Sequence, residues 1–161
     1  MEDWFEIELK QTEKDKSSDN NRKRFSRIIV PNNSSLKELK IQLPIAYEGP
    51  RGTNNLEKVY TPEHFFLMGI TGCFFTTFSV VSSNSNMNYK NLQIEAKGLV
   101  GTSTGVKIME KIEQTINLIV SSSVSKKKAL RVLELTEKRC PLANSVKSKI
   151  NNSYNVILED E

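Results

Sequence analysis

The chain has 161 residues, of which 37% are hydrophobic and 26% charged; this is the composition of one folded, soluble domain (1–161) and not of a disordered or fibrous chain. Its net charge is +4, but the basic excess sits mainly at 10–27 and 126–128 with no aromatic-plus-basic RNA-binding motif, so nucleic acid is not an expected partner. Two cysteines are too few for a disulfide scaffold, and the opening Met1-Glu2-Asp3-Trp4 has no secretory character, so the expected setting is cytoplasmic.

Residues 4–10 alternate, with Phe5, Ile7 and Leu9 on one face and Glu6 and Glu8 on the other. That period of two predicts a strand. A polar stretch at 11–21 leads to a second strand at 22–30, and Pro31-Asn32-Asn33 marks the next turn. Leu39, Ile41 and Leu43 alternate with Lys40 and Gln42 as a third strand. Residues 44–61 hold Pro44, Gly49, Pro50 and Gly52 and read as an irregular arm.

Thr61-Pro62-Glu63 is a strong helix start: a capping hydroxyl, a proline suited to the first turn, and a carboxylate at the positive end of the dipole. The predicted helix runs to about Ser83. It has no charge from Phe65 to Ser82, which raises the question of a membrane span. Its glycines, threonines and serines, and the lack of close flanking Lys or Arg, favour a core helix instead. No membrane partner is expected.

Residues 92–100 and 106–120 then alternate as two strands around a Gly101–Gly105 turn. On the second strand Ile112, Ile116, Leu118 and Val120 share a face that Glu110 and Gln114 interrupt. A second helix is predicted over 126–139, with Ala129, Val132 and Leu133 on its apolar side. Cys140-Pro141 breaks it, a helix can resume over 142–150, and 154–158 closes as a strand. The order β-β-β-α-β-β-α-β is an α+β fold.

Cys73 falls midway along the first helix. It is either a small packed hydrophobe or a reactive thiol that needs a nearby cation. Cys140 is either a plain helix joint or the N-cap of a segment starting at Pro141, where the helix dipole favours a thiolate. A metal site is not expected, because Cys73, Cys140 and the single histidine, His64, cannot supply a zinc ligand set. His64 reads as a partly exposed group on the first helical turn. No glycine-rich phosphate loop or nucleophile elbow is present, and no cofactor is expected.

Two segments resemble a known family. T-P-E-H-F-F-L-M-G-I-T-G-C-F at 61–74 is similar to the helix of OsmC/Ohr proteins (osmotically inducible protein C and organic hydroperoxide resistance protein), with a glutamate ten residues before the cysteine. E-K-R-C-P-L-A-N-S at 137–145 resembles the family's second signature. The resemblance extends from about Leu39 onward. It implies an OsmC-like fold of antiparallel strands around a long central helix carrying Cys73, in an intertwined homodimer.

The resemblance also implies an enzyme: a thiol-dependent peroxidase acting on organic hydroperoxides. Cys73 would attack the peroxide and become a sulfenic acid. Cys140 would condense with it to a disulfide, and a lipoyl-type or thioredoxin-like dithiol would restore both. Glu63 would hold an arginine that stabilises the Cys73 thiolate. Ten residues of helix span about 15 Å, so Glu63 serves that site only through a chain fold-back or a second subunit. Where one branch of the family has its arginine, this chain has Ala46; Arg51 lies five residues on. Arg24 and Arg27 stand where the other branch has its own. Arg51 and Arg27 are therefore the candidate cations. The alternative is a thiol redox or stress-response protein of the same fold without peroxidase turnover.

Overall fold

The computed structural model describes residues 7–10, 25–31, 33, 35–42 and 60–160. The chain divides into two compact units, Met1–Phe65 and Phe66–Glu161. In the first, β1 (Glu8–Lys10), β2 (Phe25–Ile29) and β3 (Leu39–Gln42) form an antiparallel sheet in the order β1-β2-β3. Leu9 pairs with Ile28, and Ile28 with Leu39. The turn after β2 closes by Asn33 N–H donating to the Val30 carbonyl at 3.1 Å. Pro31 occupies its second position, where a fixed φ suits a type I or II turn. Asn33 Oδ1 also accepts from Ser35 N–H at 3.1 Å, as an Asx turn.

Helix α1 (Pro62–Asn84) spans the junction between the units. It starts where the Thr-Pro-Glu sequence predicts, with the Thr61 carbonyl accepting from His64 N–H at 3.0 Å; the Thr61 hydroxyl meets the His64 Nδ1 at 2.9 Å and not a backbone N–H. His64 itself is exposed. Its Nδ1 accepts from Thr61 N–H at 3.2 Å, which is the reciprocal half of a capping box with histidine in the usual glutamate position. The helix stops in a Schellman motif. Met87 N–H donates to the Ser82 carbonyl at 2.9 Å and Asn86 N–H to Ser83 at 3.0 Å. Asn86 takes the left-handed conformation, φ 47°, which asparagine tolerates. Lys128 Nζ donates to the Asn86 carbonyl at 3.0 Å and adds the positive charge that a helix C-terminus favours.

In the second unit β4 (Asn91–Gly101), β5 (Ile108–Ser121) and β6 (Lys149–Glu159) pair in the order β4-β5-β6. β4 and β5 form an antiparallel hairpin whose turn uses Gly105 at φ 81°. β6 runs parallel to β5, so this sheet is mixed, not purely antiparallel. Parallel neighbours need a crossover connection, and helix α2 (Lys126–Arg139) with helix α3 (Pro141–Ser145) supplies it. Ser125 caps α2 by accepting from Lys128 N–H.

The core forms where Phe74, Phe78 and Val81 of α1, Ile116, Leu118 and Val120 of β5, and Val132 and Leu133 of α2 meet. Gly98 lets two side chains close over the strand: a Cβ there would push aside the Met109 thioether and press on Leu67. On the opposite face of the sheet, Lys111 and Lys97 flank Glu113 and hold its carboxyl down at about 2.

Two sequence expectations fail in one place. The helix expected over 142–150 ends at Ser145, and Val146 is already extended (φ −104°, ψ 154°). The last strand starts at Lys149, five residues before the expected 154. Lys149 to Asn152 pair with Lys111 to Gln114, and that long-range ladder outweighs local helix preference.

Candidate active site

Cys73 lies on α1 beside the buried Ile70 and Phe74, and is itself half-buried. Cys140 is the one-residue joint between α2 and α3 and is 0% exposed. Its backbone is extended (φ −67°, ψ 111°), the region into which a following proline pushes its neighbour. Pro141 starts α3, and the Cys140 carbonyl accepts from Asn144 N–H at 3.2 Å. Gly69, one turn before Cys73, opens space toward the Leu142 side chain. The fold thus brings the two thiols near enough for Cys73 to act on the ionisation of Cys140. Both are free.

Burial pushes the Cys140 thiol up to about 11. The Ala143 and Leu142 amides of the short helix pull it down and the Cys73 thiol pushes it further up, but burial dominates. Of the two readings of this helix start, the thiolate is the one disfavoured: the amides act as the dipole argument expects, but removal from water outweighs them. At neutral pH Cys140 keeps its proton.

That burial has a consequence for stability. A group whose folded pKa lies above its unfolded one stabilises fully below the unfolded value and loses that contribution as pH rises through the folded value. Cys140 stabilises the fold below about pH 9 and ceases to do so by about pH 11, a loss on the order of 3 kcal/mol. Tyr154 acts in the same direction at higher pH, its phenol raised by burial and by the Glu137 carboxylate. Urea unfolding at pH 8 and pH 11 should show the loss, and Cys140→Ala should flatten the part between pH 9 and 10. An unchanged pH dependence in Cys140→Ala contradicts the assignment.

The other expected site residues are Glu63, Arg27 and Arg51. Glu63 lies in the first turn of α1, ten positions before Cys73 on the same unbroken helix, or about 15 Å of rise. Its Oε2 is buried and has no hydrogen-bond partner among the described residues. Arg27 stands in β2, opposite Lys10 and Lys40. Arg51 lies outside the described residues, as do Arg24 and Ala46. No cluster of three or more metal-ligating side chains occurs among the described residues.

Sequence reasoning missed a group of polar side chains behind Cys140. The Tyr154 hydroxyl donates to Glu137 Oε2 at 2.5 Å, and Gln114 Nε2 donates to Asn152 Oδ1 at 2.9 Å. The signal was present: Gln114 interrupts an apolar face, and Asn151-Asn152 breaks the alternation of the last strand.

Comparison with known proteins agrees with this architecture. The OsmC-like protein family matches residues 54–155. No curated protein matches the chain. Among solved structures, an OsmC-like protein of Vibrio cholerae superposes with a TM-score of 0.80 at 16% identity, covering 95% of this chain and 99% of that one. An OsmC-like protein of Mycoplasma pneumoniae gives 0.70 at 15%, covering 98% and 99%. An organic hydroperoxide resistance protein of Elizabethkingia anophelis gives 0.66 at 18%, covering 99% and 100%. At these identities the likeness is one of fold, while the family match spans well over half of the 161 residues. With its mixed α+β fold, its long cysteine-bearing helix and that match, the chain belongs to the OsmC/Ohr family.

Proposed function

We propose that this protein is a cysteine peroxidase that reduces organic hydroperoxides. The observation that carries the reading is a half-buried thiol, Cys73, near enough to a buried thiol, Cys140, to act on its ionisation. The Cys73 sulfur attacks the terminal peroxide oxygen; an S–O bond forms, the O–O bond breaks, and the alcohol leaves. The Cys140 sulfur then displaces the sulfenic hydroxyl as water, and an S–S bond forms. A lipoyl-type or thioredoxin-like dithiol returns both thiols by exchange. Glu63 holds the arginine that favours the attacking thiolate, with Arg51 and Arg27 the candidates. The setting is cytoplasmic, where such dithiols persist.

A homodimer belongs to this reading. By length and composition α1 could cross a membrane, yet Met68, Phe75 and Val80 on its outward side are 44%, 47% and 60% exposed. A second copy would cover that stripe and bring its own Glu63 toward Cys73. Sedimentation should give twice the 18.3 kDa chain mass; a chain that stays monomeric at tens of micromolar contradicts the dimer.

The test of the chemistry is direct. One equivalent of an alkyl hydroperoxide should remove both free thiols and leave a Cys73–Cys140 disulfide, and a dithiol should sustain repeated turnover. Oxidation once, without turnover in excess dithiol, marks the alternative of a redox or stress-response protein. Retention of both thiols sinks either reading.

A further inference from the structure

Four polar side chains cross the core of the second unit and end at the joint that carries Cys140. The first, Gln114, is 2% exposed in the middle of β5, between the inward residues Ile112 and Ile116. Its Nε2 donates to Asn152 Oδ1 at 2.9 Å, directly across the parallel register. Two residues further along β6, the Tyr154 hydroxyl donates to Glu137 Oε2 at 2.5 Å. Burial and the Glu137 carboxylate raise the phenol's pKa, while the neighbouring Asn152 side chain draws it down. The last acceptor is a carboxylate, which makes that bond charge-assisted.

Glu137 is also the residue whose carbonyl receives the Cys140 N–H, at a long 3.4 Å. From the other side, Asn144 Nδ2 donates to the Lys138 and Cys140 carbonyls at 3.1 and 2.9 Å. The joint between α2 and α3 is therefore held on both sides by side chains, while its own backbone bond is weak. The arrangement has a cost: Gln114 Oε1 is buried with no partner, where a leucine would leave nothing unsatisfied.

We infer that the chain Gln114–Asn152–Tyr154–Glu137 is a positioning device for the resolving step, fixing the end of α2 so that the Cys140 thiol faces Cys73. The inference rests on the peroxidase reading. In the step it serves, the Cys140 sulfur bonds to the Cys73 sulfur and the S–O bond of the sulfenic acid breaks. The hydroxyl leaves as water with the Cys140 proton. A buried sulfur in a one-residue joint cannot search for its partner, so its rate follows its alignment. None of the four residues touches the peroxide; they act through Cys140.

The experiment separates the two steps. Tyr154→Phe and Glu137→Ala break the last link, while Glu137→Gln keeps an acceptor for the phenol. After a pulse of alkyl hydroperoxide, the first two variants should oxidise Cys73 at the wild-type rate. They should close the disulfide about tenfold more slowly, the loss of about one net hydrogen bond. A 1,3-dione should then trap the Cys73 sulfenic acid in them and little in wild type, and Glu137→Gln should close within about twofold of wild type. Closure at the wild-type rate in Tyr154→Phe and Glu137→Ala overturns the inference. Equal slowing of both steps, or a Glu137→Gln as slow as Glu137→Ala, also does so.

Should wild type keep its thiols under peroxide, the peroxidase reading fails, and the positioning is read instead from disulfide equilibrium in a dithiol buffer. Glu137→Ala should there form the disulfide about tenfold less favourably, or about 30 mV. Equal equilibrium constants, or no disulfide in wild type, overturn the inference.

Discussion

Cys73→Ser should reduce peroxide consumption to the uncatalysed background and leave Cys140 as a free thiol. Serine has no oxidation ladder, so the first step has no substitute atom. Cys140 cannot replace the missing nucleophile: it is fully buried and stays protonated far above neutral pH, and the thiolate is the reactive species. The complementary variant, Cys140→Ser, should still consume one equivalent and stop at the Cys73 sulfenic acid, which overoxidises with excess peroxide. Thiol counting and intact mass, read after one and after ten equivalents, distinguish the two. A Cys73→Ser protein that consumes peroxide as fast as wild type removes Cys73 from the mechanism. The assignment of roles to the two sulfurs would then have to be abandoned, although the fold would stand.

Phe78→Ala should cost about 3–5 kcal/mol of folding stability, the usual penalty for emptying a buried aromatic site. Phe78 is 0% exposed and lies in the cluster that α1, β5 and α2 share. Its ring meets Tyr89 edge-on, with centroids 5.1 Å apart, which adds to the area it buries. Small domains are stable by only about 5–15 kcal/mol in total, so the variant should lose a large fraction of its margin. Phe75, three residues away and exposed in the single chain, is the internal contrast: its truncation should act on dimer assembly. Urea unfolding at a fixed chain concentration measures both. A loss below about 1 kcal/mol for Phe78→Ala would mean that this core does not depend on the helix as described.

How much of this was legible beforehand differs from element to element. α2 begins and ends where its apolar spacing and the Cys-Pro break place it, at Lys126 and Arg139. The start of α1 follows from Thr61-Pro62 in the same way. These are local decisions, made by caps, proline geometry and side-chain period, and a linear sequence holds them in full. β6 is the opposite case. Its first residues carry two asparagines and no alternation, and they become strand because β5 offers a parallel partner and Gln114 offers Asn152 a hydrogen bond.

The two cysteines divide along the same line. The residues alone name both, and set one on a helix and the other at a helix joint. They also supply the small dipole effect that favours a thiolate at Cys140. Only the tertiary structure decided that the two cysteines share one core cluster, and that burial in a core drawn from three distant segments outweighs that dipole. Desolvation depends on what the rest of the chain removes from water, and no local pattern of residues records it.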